Sequence, residues 1–85
     1  MRLNASEKFD KGYRKLPQDI QKQVDKKLAL FVEYGFYYPP LRFTILKKYA
    51  REGVYELSVT KNYRVILQKI RDDEYYLLRV GTHNI

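Results

Sequence analysis

The sequence predicts an α+β domain: two N-terminal helices packed on one face of a small, mainly antiparallel sheet of about four strands. Three observations predict it. Ile20, Val24, Leu28 and Phe31 fall at i, i+4, i+8 and i+11, the spacing of one helical stripe. In GVYELSVTKNYRVIL, residues 53–67, the period changes to two, with Tyr55, Leu57 and Val59 and then Tyr63, Val65 and Leu67 on one side. The 85 residues suffice for one modest core and no more, because a chain of this size buries only about 60 to 65% of its unfolded surface. Residues 1–85 therefore read as a single domain, with no repeat, low-complexity tract or linker.

Arg2 to Ala5 is short and reads as an edge strand. Ser6 is a natural N-cap, and Phe9 with Tyr13 at i, i+4 gives a short first helix as far as about Lys15. Leu16-Pro17 interrupts it. Pro17 suits the first position of a second helix, where a preset φ helps and no N–H is required. That helix carries the Ile20 stripe on one side and Lys22, Gln23, Lys26 and Lys27 elsewhere, and Gly35 offers its C-terminal cap. Phe36 to Pro40 reads as a stiff aromatic connector that excludes helix. Leu41 to Tyr49 reads as a strand, with Phe43 and Ile45 on one side and Thr44, Leu46 and Lys48 on the other. The central hairpin follows, with Thr60-Lys61-Asn62 as its turn because Asn tolerates positive φ. Its second strand runs to Ile70, Arg71 to Glu74 is a polar turn, and Tyr75 to Val80 is the last strand.

The side of the hairpin opposite its apolar set carries Val54, Glu56 and Ser58 on one strand and Arg64, Ile66 and Gln68 on the other. A carboxylate, a hydroxyl and a guanidinium thus share one face of a small sheet.

Composition narrows the class. With no cysteine and one histidine, the chain lacks the donors of a usual zinc site or a disulfide, and Asp72-Asp73-Glu74 reads as a solvated turn; no metal and no small-molecule cofactor is expected. No signal-peptide pattern opens the chain and no stretch has the apolar length of a membrane span, so a soluble, cytoplasmic protein without membrane contact is expected. Seventeen basic against ten acidic side chains leave a net charge of +7. That charge by itself favours any polyanionic partner, nucleic acid, an acidic protein segment or an anionic membrane surface, while many of the lysines serve simply to solvate the surface.

The order of two helices and then a sheet containing G-V-Y-E-L-S-V, N-Y-R-V-I-L and the terminal R-V-G-T-H-N resembles the RelE/ParE superfamily of type II toxin–antitoxin toxins, over nearly the whole chain. The G-T-H ending resembles the branch of YafQ-type messenger-RNA endoribonucleases, although the further histidines of that branch are absent. The resemblance implies His83 as the catalytic histidine after the last strand and Arg64 as the arginine of the R-V-I-like motif. It also implies Arg79 as a basic residue of the final strand, with Lys47 and Lys48 in the basic segment before the hairpin. It further implies messenger RNA as substrate, cleavage at the ribosome, and an acidic antitoxin as partner.

The residues themselves suit that chemistry. Cleaving RNA without a metal needs a base for the 2′-OH, cations for the phosphorane and an acid for the leaving oxygen. His83 titrates near neutral pH, Arg64 and Arg79 offer planar guanidinium donors, and Glu56 shares the face of Arg64 as a base or an orienting group. Tyr49, and less so Tyr37 and Tyr38, are candidates for stacking on bases, while Tyr13, Tyr55 and Tyr63 fit the core by their spacing. Plainer readings stay open: a surface histidine, a cross-strand Glu56–Arg64 ion pair, and solvated lysines. Two other functions share these features, a ParE-like toxin that inhibits DNA gyrase without cutting nucleic acid, and a small basic RNA-binding module without catalysis.

Overall fold

The computed structural model describes residues 1–41, 43–45 and 53–82. Five strands, β1 (Arg2–Ala5), β2 (Phe43–Ile45), β3 (Val54–Ser58), β4 (Tyr63–Arg71) and β5 (Glu74–Thr82), form one sheet in the order β1-β5-β4-β3-β2. Helices α1 (Glu7–Arg14) and α2 (Gln18–Tyr34) intervene between β1 and β2. Every strand pair is antiparallel except β1 with β5. Arg2–Ala5 is the edge strand expected from the sequence, and it takes up the outer edge of β5, whose backbone groups would otherwise face water unpaired.

Local chemistry explains the helix ends. Ser6 caps α1, its hydroxyl accepting from the Phe9 N–H at 3.0 Å. Pro17 turns out to be the N-cap of α2 rather than its first residue: its φ of −56° and ψ of 149° are extended, and its carbonyl accepts from Ile20 and Gln21. Gly35 ends α2 at φ 86°, donating its N–H to the Phe31 carbonyl at 2.8 Å. The connector departs from expectation. Pro39–Leu41 forms a short 3₁₀ turn, which two prolines permit because the turn needs only the Leu41 N–H, donated to the Tyr38 carbonyl at 3.1 Å. The expected strand from Leu41 therefore starts at Phe43, and its continuation through Tyr49 lies outside the described residues.

The core lies between the helices and one face of the sheet. Phe9, Ile20, Val24 and Phe31 from the helices meet Leu57, Val59, Val65, Leu67, Tyr75, Leu77 and Val80 from the strands, with Leu28 packed at the edge. The two stripes predicted to face each other therefore do so, with Leu57 and Val65 fully buried. Phe31 and Phe36 share the aromatic packing: Phe31 lies 4.8 Å from the ring of Tyr75 and 5.0 Å from that of Phe43, and Phe36 stacks on Phe43 at 4.4 Å. A Tyr13 hydroxyl bond to Asp25 and a Gln21 side-chain bond to the Tyr13 carbonyl tie α1 to α2.

The β3–β4 turn is held by Thr60, whose hydroxyl accepts from the N–H groups of Asn62 and Tyr63, each at 3.2 Å. At the other end of the sheet the chain reverses at Asp72-Asp73, and the ion pairs Lys69–Asp72 and Arg71–Glu74 flank the reversal. No helix among the described residues is long and apolar enough to cross a membrane.

Candidate functional site on the open face of the sheet

With the helices on one face, the other face gathers the polar residues of the hairpin. Register builds it row by row. Glu56 pairs with Ile66, and Ile66 with Arg79; in the next row Ser58 pairs with Arg64, and Arg64 with Gly81. Glu56 and Arg79 thus stand two strand spacings apart, about 10 Å, on either side of Ile66. Arg64 and Arg79 are diagonal neighbours, a relationship that places positions about 7–8 Å apart.

The contacts give this face a charged centre over an apolar floor. Nη1 of Arg64 donates to Oε1 of Glu56 at 2.8 Å, and each side chain is only 15% exposed. So buried a guanidinium–carboxylate pair is stiffer than a surface ion pair, since little water competes for either partner. Ile66 is buried between Glu56 and Arg79. Arg79 is exposed and has no hydrogen-bond or ion-pair partner among the described residues. Gly81 presents no side chain opposite Arg64.

Of the sequence-predicted site residues, the fold brings Glu56, Arg64 and Arg79 together on one face. His83, Lys47, Lys48 and Tyr49 lie outside the described residues. The two weaker stacking candidates divide: Tyr38 is engaged with Tyr34, ring centroids 4.3 Å apart, whereas Tyr37 is 88% exposed. The structure adds residues that the sequence reading passed over. Tyr76 pairs with Gln68 and with Asn4 and lies exposed on the open face, a ready surface for an unstacked base. Its position inside the apolar run from Tyr75 to Leu78 hid it.

No protein-family model matches the chain, and no curated protein matches its sequence. Solved structures match it over almost their whole length. YafQ from E. coli strain BL21(DE3) superposes with a TM-score of 0.78 at 16% identity, covering 99% of this chain and 96% of its own. A chain of the RelB–RelE antitoxin–toxin complex from Methanococcus jannaschii gives 0.77 at 17% identity, covering 95% and 91%. The fold is that of the RelE-like toxins. A chain of the heterotetrameric YoeB–YefM toxin–antitoxin complex from Staphylococcus aureus agrees, at 0.76 and 14% identity over 98% and 97%.

In this RelE-like fold the helices cover the core face of the sheet, so the opposite face is the one on which a polyanion can meet Arg64 and Arg79 together. Glu56 fixes the first guanidinium, and backbone position fixes the root of the second. What such a pair does chemically is to neutralise negative charge developing between two fixed points.

Proposed function

We propose that this chain is the toxin of a type II toxin–antitoxin pair and an endoribonuclease that cleaves messenger RNA, in association with the ribosome, and so stops translation. The observation that carries the reading is the polar sheet face of a RelE-like fold, where Glu56 and Arg79 stand on either side of Ile66 and Arg64 reaches the Glu56 carboxylate. The scissile phosphate sits between the two guanidinium groups. The 2′-oxygen attacks phosphorus as its proton passes to a base, the role open to Glu56; the phosphorus–5′-oxygen bond breaks, and His83 gives its proton to the departing 5′-oxygen. Arg64 and Arg79 stabilise the dianionic phosphorane between these steps. Lys47, Lys48 and Tyr49 bind the flanking strand by charge and stacking. A donor set of one histidine and no cysteine suits proton-transfer and guanidinium chemistry without a metal.

A protein partner belongs to the same reading. The similar RelE, YafQ and YoeB structures include complexes with the antitoxins RelB, DinJ and YefM. A chain of charge +7 suits an acidic antitoxin whose segment orders on binding and covers the basic face.

Purified protein incubated with messenger RNA, with and without ribosomes, tests the proposal. Cleavage is expected, and it should slow by about 10²- to 10³-fold in Arg64→Ala and His83→Ala while RNA or ribosome binding persists. Lys47→Ala should weaken binding more than turnover. Undiminished cleavage by His83→Ala returns that residue to the surface, and intact RNA alongside inhibited gyrase supercoiling replaces this reading with the ParE-like one.

A further inference from the structure

Simple alternation would send Arg79 into the core. Tyr75 and Leu77 are buried beneath the helices, and a regular strand would place the residue two further on beside them. The register of β5 changes first. Leu67 pairs with Leu77 but Ile66 pairs with Arg79, so Leu78 is an extra residue in β5, a β-bulge. Past it the faces exchange: Val80 joins the core and Arg79 emerges on the open face beside Ile66.

The bulge is gripped from the N-terminus of the chain. The Ser6 N–H donates to the Leu77 carbonyl at 2.9 Å, and the Ser6 hydroxyl donates to the Leu78 carbonyl at 2.7 Å. The same hydroxyl oxygen accepts the Phe9 N–H at 3.0 Å, so one side chain both caps α1 and closes the bulge. Helix α1 then rests on the strand just beyond, where Gly12 meets the Val80 carbonyl so closely that a Cβ there would stand 2.6 Å from the oxygen. Arg79 needs this support more than Arg64 does. Arg64 is held by Glu56, whereas Arg79 has no side-chain partner among the described residues, so its aim depends on its backbone.

We propose that Ser6 is a positioning residue for Arg79: by holding the Leu78 carbonyl it fixes the bulge that turns Arg79 toward the phosphate. The proposal rests on the RNA-cleaving reading of the open face for its kinetic effect, but not for its structural one. Ser6 lies on the helix side of the sheet and touches no substrate.

Two substitutions separate the clamp from the cap. Ser6→Asp keeps an acceptor for the Phe9 N–H but offers the Leu78 carbonyl no donor; Ser6→Gly removes both side-chain bonds without adding charge, remains a tolerable N-cap, and serves if the aspartate variant fails to fold. Ser6→Thr keeps both bonds. In RNA cleavage, loss of the clamp lowers kcat/KM at least about tenfold, within the about 10²-fold that a 1 Å misplacement can cost, and Ser6→Thr restores it. The same loss shrinks below about twofold in an Arg79→Ala background, because the two residues act through one group. Equal losses in both backgrounds, or no loss in either, overturn the proposal. Nuclear Overhauser contacts between the side chains of Arg79 and Ile66 supply a readout that needs no cleavage. Their disappearance in Ser6→Asp with retention in Ser6→Thr supports the clamp, and their persistence in Ser6→Asp overturns it. Were the parent protein inert toward RNA, the functional reading would fail while these contacts still decided the role of Ser6.

Discussion

Glu56 and Arg64 meet diagonally across β3 and β4. Glu56 stands opposite Ile66 and Arg64 opposite Ser58, yet the guanidinium reaches back along the sheet to the carboxylate at 2.8 Å. The reach fixes Arg64 at the centre of the open face and leaves Glu56 with two separable duties, holding Arg64 and accepting a proton. Glu56→Gln distinguishes them. Glutamine can still accept from Arg64 but has no basicity, so cleavage reduced by about 10²-fold or more marks Glu56 as the base. A rate within a few-fold of the parent, combined with a large loss in Glu56→Ala, marks it as the orienting partner. Rates of RNA cleavage for the three proteins at saturating substrate make the comparison.

Gly12 owes its place to the strand beneath it. In most helices alanine in place of an interior glycine stabilises by about 1 kcal/mol, but here the added methyl would lie 2.6 Å from the Val80 carbonyl, a backbone atom that cannot rotate away. Helix and strand must separate, and overpacking of this kind costs about 1–3 kcal/mol. Gly12→Ala is therefore expected to be a net destabilisation, with Tm lower by several degrees, at about 4–8 °C per kcal/mol for a domain of this size. A calorimetric melt showing Tm raised would mean that α1 moves off β5 freely.

Stability should decline in alkali through Tyr75. Burial pushes its hydroxyl above the ordinary tyrosine value, with the charge of Lys69 opposing that shift only in part. At lower pH the group is neutral in folded and unfolded chains alike and the fold keeps its full stability. As pH rises past the unfolded tyrosine value, about 10, the unfolded chain releases a proton that the folded chain retains, and unfolding gains. Tyr13 acts with the same sign, chiefly because its hydroxyl donates to Asp25 at 2.7 Å. Urea midpoints measured across this range should fall in the parent and fall less in Tyr75→Phe, which keeps the edge contact with Phe31. Parallel curves would show that the Tyr75 hydroxyl ionises as readily folded as unfolded.

What the sequence shows of this molecule is what lies close along the chain. The Ile20 stripe, the alternation in residues 53–67 and the caps at Ser6 and Gly35 are local patterns with one geometric solution each, and all are present in the structure. Glu56 and Arg64 share a face by parity within one hairpin, so half of the candidate site was legible. Arg79 was reached only through the resemblance, because parity counted from Tyr75 gives the core, and the bulge that corrects it involves a bond between Ser6 and a carbonyl 72 residues away. The parallel pairing of β1 with β5 likewise joins distant parts of the chain. In retrospect the bulge has a trace in the sequence: Tyr75, Leu77 and Val80 are apolar at a spacing that breaks alternation once.

Arg64 and Arg79 should fail in different ways when removed, and the difference follows from their surroundings. Arg64→Ala deprives a largely buried Glu56 of its partner, so it should cost about 1–3 kcal/mol of stability as well as most of the cleavage rate. Arg64→Lys should recover little, because an ammonium cannot reproduce the planar guanidinium that both reaches Glu56 and faces the phosphate. Arg79 is exposed and makes no ion pair among the described residues, so Arg79→Ala should leave the melting temperature close to that of the parent. Its loss should appear instead in the meeting with RNA. With one phosphate contact fewer, the dependence of log affinity on log salt for a single-stranded oligonucleotide should become shallower by about 0.7, the contribution of one neutralised phosphate. If Arg79 also stabilises the phosphorane, turnover at saturating RNA falls by a further 10²-fold or so, whereas a residue used only for binding leaves that rate unchanged. An unaltered salt slope together with an unaltered rate would remove Arg79 from the site, and with it the case for a phosphate held between the two arginines.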